Sequence, residues 1–148
     1  MNTLVILIVS LVLGHSSAVF ATEKGQLLSL LTDYALLKER VQEVREARKS
    51  GNASDSTMLM DLFGEISEAR QETFQFRAAQ HTAGTMNKTD ETTSCILYAY
   101  EVMGQIVSAE VDRNLYLPTS DISLRLADRY EEIWKMIDSS IPVVSVSS

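Results

Sequence analysis

Apolar residues that return at alternating steps of three and four confine a chain to amphipathic helices, and four separate segments here carry that spacing. In the first, Leu27, Leu30, Tyr34, Leu37, Val41 and Val44 fall on one stripe of a helix over about 23–49. Thr22 is its expected N-cap, and Gly51 its stop, because glycine accepts the left-handed conformation that closes a helix. The basic end formed by Arg45, Arg48 and Lys49 suits the negative pole of the helix dipole and is expected to be solvated. Residues 50–55, Ser-Gly-Asn-Ala-Ser-Asp, are turn chemistry throughout. A second helix over about 56–83 places Leu59, Leu62, Phe63, Ile66, Ala69, Thr73, Phe76 and Ala79 or Gln80 inward, with Gly84 at its end. The polar, threonine-rich stretch 82–93 is expected to be an exposed connection.

The third helix, over about 92–113, differs in kind. Between Ile96 and Val111 the only residues that are not aliphatic, aromatic, Met, Ala or Gly are Glu101, Gln105, Ser108 and Glu110. Glu101, Gln105, Ser108 and Asp112 form one narrow polar stripe, which leaves most of the circumference apolar. An ordinary bundle helix buries roughly three positions in seven, so this one lies deep among its neighbours or offers a second apolar face. Cys95, Ala99, Val102, Ile106 and Ala109 make one seam, and Leu97, Tyr100, Gly104, Val107 and Val111 another. The second seam is the candidate interaction or ligand face. Pro118 pushes Leu117 out of the helical region, so the fourth helix is expected over about 120–140, capped by Thr119, Ser120 or Asp121. Its inward set is Ile122, Leu126, Tyr130, Ile133, Trp134 and Ile137.

Four such segments with short connections most economically form an all-α domain, an antiparallel up-down four-helix bundle over residues 22–141, followed by a disordered tail, 142–148. The charges mark where that domain starts, since all 13 Lys and Arg and all 20 Asp and Glu lie between Glu23 and Asp138. The uncharged stretch before them holds the apolar run Leu4–Leu13, the polar break from Gly14 to Ser17, and small residues at Val19 and Ala21. That pattern is expected of a secretory signal peptide, residues 1–21, cleaved after Ala21. The chain is then secreted and extracellular, with no stable membrane insertion, because the apolar run is short for a span. On that route Asn52-Ala53-Ser54 and Asn87-Lys88-Thr89 become N-glycosylation acceptors at Asn52 and Asn87. The single cysteine, Cys95, becomes a candidate for either burial or an intermolecular disulfide.

Chemistry finds little footing. One cysteine and two histidines, His15 and His81, argue against a disulfide scaffold, a zinc finger or a di-iron bundle, and no cofactor or metal site is expected. His81 has nothing local to orient it as a base towards Cys95. The glutamate rows Glu39, Glu43, Glu46 and Glu65, Glu68, Glu72 are expected to be solvated surface. A net charge of −7 disfavours nucleic acid. No catalytic residue emerges, so the expectation is a non-enzyme that binds another protein, a receptor or itself. The alternative is an extracellular carrier of a small lipophilic ligand, its inter-helix cavity lined by aromatics such as Phe74, Phe76, Tyr98, Tyr100, Tyr130 and Trp134.

Overall fold

Helix punctuation does much of the local work. The computed structural model describes residues 18–84, 88–115 and 117–144. Four helices pack against one another: α1 (Ala18–Lys49), α2 (Ser56–Thr82), α3 (Lys88–Leu115) and α4 (Leu117–Asp138). No strand occurs among the described residues. The leader up to residue 17 and the sequon asparagine at 87 lie outside the described residues.

Gly51 ends α1 as expected, with φ +82°. Its N–H donates to the Arg48 carbonyl at 3.0 Å and the Asn52 N–H to the Ala47 carbonyl at 2.8 Å, the paired bonds of a left-handed C-cap. Gly84, with φ +74°, does the same after α2, its N–H reaching the His81 carbonyl at 3.1 Å. Asp55 caps α2 by accepting from the Met58 N–H at 3.1 Å.

Three starts differ from expectation. Thr22 stands inside α1, which begins at Ala18 because neither glycine nor proline interrupts residues 18–22. α3 begins at Lys88, ahead of the expected 92, and its first turn carries Asp90 and Glu91, which favour the positive pole of the dipole. α4 begins at Leu117 with Pro118 in its first turn, so Thr119, Ser120 and Asp121 lie within the helix rather than before it. Proline is tolerated there, since the missing N–H has no intrahelical partner anyway. Ile141 is buried, and of the stretch expected as a tail Val144 packs against the core, while residues 145–148 lie outside the described residues.

Side-chain pairs set the directions. Arg40 meets Glu65 at 2.6 Å, and nearer the α1 start Leu30 shares a groove with Phe76, so α1 and α2 run antiparallel. Arg77 meets Asp90 at 2.8 Å and Arg70 meets Glu101 at 2.9 Å, so α2 and α3 do likewise. Tyr34 donates to Asp138 Oδ1 at 2.7 Å and Arg45 pairs with Asp128, which makes α1 and α4 antiparallel.

α3 packs against all three other helices. Ile96, Ala99, Tyr100, Met103, Ile106 and Val107 are therefore buried around much of its circumference, and its apolar girth is consumed by position. On α1, Leu30, Tyr34, Leu37, Val41 and Val44 are buried as the stripe requires, and on α2, Leu59, Leu62, Ile66, Ala69, Thr73 and Phe76.

The basic end of α1 is the clearest departure. Instead of standing in solvent, Arg45 is 2% exposed and pairs with Asp128 and Glu131 of α4. Arg48 makes a bidentate bond to Glu110 of α3, from Nε to Oε1 at 3.1 Å and from Nη2 to Oε2 at 2.7 Å. The planar guanidinium matches a carboxylate fork, and that complementarity draws both arginines inward.

Asp33, on the α1 side facing α2, has its carboxyl pKa raised, first by burial and then by the charge of Glu72. A raised folded-state pKa contributes stability present at low pH and lost as pH rises through it. At neutral pH the ionised group therefore weighs against folding. Asp33→Asn should stabilise the fold at pH 7, by no more than about 1 kcal/mol after solvent screening, and give no gain near pH 3. Paired thermal melts at the two pH values check this.

Candidate interaction surface

Burial disperses the residues singled out on α3. Tyr100 is 1% exposed and Val107 fully buried, while Leu97, Gly104 and Val111 are half-buried. An approaching partner cannot reach the first two, so this seam is core, not a surface. The reason is the central place of α3 among its neighbours. Tyr100 packs edge-on against Tyr34, ring centroids 5.6 Å apart, and its buried hydroxyl has no hydrogen-bond partner among the described residues.

The remaining candidates separate as well. Cys95 is half-buried and packed against the core near the start of α3. Asn52 is exposed in the α1–α2 connection. Ala21 lies in the first turns of α1. His81 Nε2 sits 3.2 Å from Asp90 Oδ1, and Arg77, bonded to the same oxygen at 2.8 Å, holds that carboxyl below the usual carboxylate range. This cluster is an ion-paired junction of α2 and α3, with no nucleophile in it. No group of three or more potential ligands that could hold a metal occurs among the described residues.

The aromatics named as lining for a lipophile do not converge. Phe74 and Tyr98 are largely exposed, whereas Phe76, Tyr100 and Trp134 are packed in the core. Between α1 and α2 runs a solvent-open groove of about 390 Å³ lined by Leu36, Leu37 and Ala69 at its floor and by Asp33, Arg40, Glu65, Glu68 and Glu72, with none of those six aromatics in it.

An apolar surface does exist, on a different helix. Ile122, Leu126, Ile133 and Met136, at 58%, 50%, 44% and 74% exposure, occupy successive places on one stripe of α4, with the exposed Arg129 at its middle. Three of the six residues expected to face inward from α4 thus face solvent. The inward face is made instead by Ala127 and Trp134, with Tyr130 and Ile137 partly buried beside them.

Polar bonds set this rotation. Asp128 and Glu131 clasp Arg45, and Asp138 receives both the Tyr34 hydroxyl and the Lys38 ammonium, each at 2.7 Å. Trp134 Nε1 donates to the Tyr34 oxygen at 3.0 Å. Burial and the bond to Asp138 push the Tyr34 hydroxyl pKa well up, keeping it a neutral donor. Turning Ile133 inward would break this set and leave Arg45 buried without its carboxylates, a loss that one more aliphatic contact does not offset.

Other exposed apolar residues are more scattered. Phe63, expected inside, is 40% exposed but lies over Gly104, where an added methyl would stand 3.7 Å from its ring. Met60 and Phe74 are separated along α2 by Gly64, Ser67 and Arg70.

Sequence reasoning missed the α4 surface because both of its faces are apolar. Ile133 and Trp134 are adjacent, about 100° apart around the helix. The available signal was the row of carboxylates at Asp128, Glu131 and Asp138, of which the first two could have been matched to Arg45 and the third to Lys38. No helix among the described residues is long and apolar enough to cross a membrane. No protein-family model, no curated protein and no solved structure matches this chain.

Proposed function

We propose that this chain is a secreted, N-glycosylated helical protein that acts by binding another protein through the apolar stripe of α4. The observation that carries the reading is the exposure of Ile122, Leu126, Ile133 and Met136 along one side of one helix. Large apolar side chains that a fold turns outward in a row are the usual mark of a docking helix. The secretory part rests on the sequence pattern before Glu23, with cleavage after Ala21, and on sequons at Asn52 and Asn87. Asn52 stands exposed in a connection, where a glycan would not disturb packing.

Native mass spectrometry of the protein purified from its natural fluid tests this. The expected result is a mass beginning at Thr22, increased by glycan, within a protein complex. A lone, ligand-free monomer would sink the reading, and a monomer carrying a lipophile would replace it with the carrier function. Ile133→Asp should leave helicity and the melting temperature nearly unchanged, since the side chain is already solvated, while the complex is lost. Circular dichroism and the same mass measurement check both halves.

A further inference from the structure

We propose that the groove between α1 and α2 is a binding site for a small primary ammonium ion with an apolar body, its charged head held between Asp33 and Glu72. This site is separate from the α4 stripe and does not depend on it. One end of the groove is closed by Arg40, which meets Glu65 across it at 2.6 Å. Asp33 and Glu72 stand on opposite walls at the other end, about 10 Å away at the helical rise. They are close enough that the charge of Glu72 acts on Asp33. Leu36, Leu37 and Ala69 lie between the two ends. Glu68 adds another carboxylate on the α2 wall, and among the described residues only Glu65 of these acids has a cationic partner.

Carboxylates gathered without a counter-charge weigh against folding, and the raised pKa of Asp33, caused first by burial and then by Glu72, is the mark of it. A cation that fills the gap relieves that cost. Tyr100 of α3 points to the same place independently. It is 1% exposed, and its hydroxyl has no hydrogen-bond partner among the described residues. Besides burial, the charges that act on this hydroxyl are those of Asp33 and Glu72. Its ring packs on that of Tyr34, the neighbour of Asp33 on α1. The Tyr100 oxygen therefore lies beneath the two carboxylates. A primary ammonium has three donors, and Asp33, Glu72 and the Tyr100 oxygen offer it three acceptors. No group of three or more metal-ligating residues comes together among the described residues, which favours a hydrogen-bonding cation over a metal ion. The volume of about 390 Å³ and the apolar floor suit a body the size of one aromatic ring or a short alkyl chain.

Isothermal titration of the mature full-length protein with phenethylamine hydrochloride at pH 7 tests the assignment. The expected result is saturable binding of one equivalent, with the neutral counterpart phenethyl alcohol left unbound. Asp33→Asn and Glu72→Gln should each weaken binding by at least about tenfold, and Tyr100→Phe by about fivefold. Asp33→Asn should do so while gaining stability at pH 7, a combination that a purely structural role for Asp33 would not give. Glu91→Gln removes a negative charge from the exposed start of α3, outside the groove, and should bind as the wild type does. The assignment is overturned by an absence of saturable binding up to about 10 mM amine, or by phenethyl alcohol binding equally well. Unchanged affinity in Tyr100→Phe, or Glu91→Gln weakened as much as Asp33→Asn, overturns it too. Nα-acetyl-lysine amide bound more tightly than phenethylamine would also overturn it, since the ammonium would then belong to a protein side chain.

Discussion

Val107→Glu should unfold the domain or lower its melting temperature by on the order of 15 °C. Val107 is fully buried in the core cluster formed by α1, α2, α3 and α4. A carboxylate there is fully enclosed, and Arg48 one turn away is already held by Glu110, so the new group stays ionised at a large desolvation cost or takes up a proton and remains an oversized polar group. Either way the loss is about 4 kcal/mol or more, against a total stability of roughly 5–15 kcal/mol for a domain of this kind. Circular dichroism melts of this variant beside Ile133→Asp make the sharpest contrast. Both place an acid at an aliphatic position of an amphipathic helix, and only the first should be destabilised. Equal melting temperatures would mean that α3 is not the central helix.

Breaking the Arg48–Glu110 pair has the second largest expected effect, and it should be asymmetric. Glu110 is 1% exposed while the Arg48 side chain retains 17%, so the two halves differ in their access to water. Arg48→Ala strands a buried carboxylate that cannot reach solvent, at a cost of about 3–5 kcal/mol. Glu110→Ala leaves an arginine that can swing outward, and should cost measurably less. Replacing both with well-packed apolar residues, Arg48→Met with Glu110→Leu, should recover most of the loss, since neither desolvated charge remains. Urea titrations of the four proteins give the comparison. A Glu110→Ala variant less stable than Arg48→Ala would show that the pair is held by its solvent-facing half.

The two arginines also account for what could and could not be read from the residues in order. α1 was legible almost whole: its stripe from Leu30 to Val44 is buried and Gly51 adopts the left-handed cap. α2 was nearly so: Phe63 is misplaced because its position beside Leu62 borders the inner face, and of the pair offered at its end Ala79 is exposed while Gln80 is half-buried. Both helices have one apolar side, and a helix with one apolar side has one way to face a core. α3 and α4 have apolar residues on more than one side, so spacing alone leaves their rotation open. The surface expected on α3 at Leu97, Tyr100, Gly104, Val107 and Val111 proved to be core or half-buried at the centre of the fold, and the exposed apolar face belongs to α4.

The choice for α4 was made by pairs far apart in the chain. Arg45 with Asp128 and Glu131, and Tyr34 with Asp138, are bonds between the first helix and the last. Periodicity reports which sides of a helix are able to be buried; it carries no information on which neighbour arrives to bury them. The amino-acid sequence therefore determined four helices, their glycine stops and the inner faces of α1 and α2, because those follow from local spacing and backbone preference. Only the tertiary structure decided that α3 is enclosed and that α4 turns Ile122, Leu126, Ile133 and Met136 to solvent. A buried arginine must meet its carboxylates, and that long-range requirement outweighs the burial of a few more aliphatic side chains.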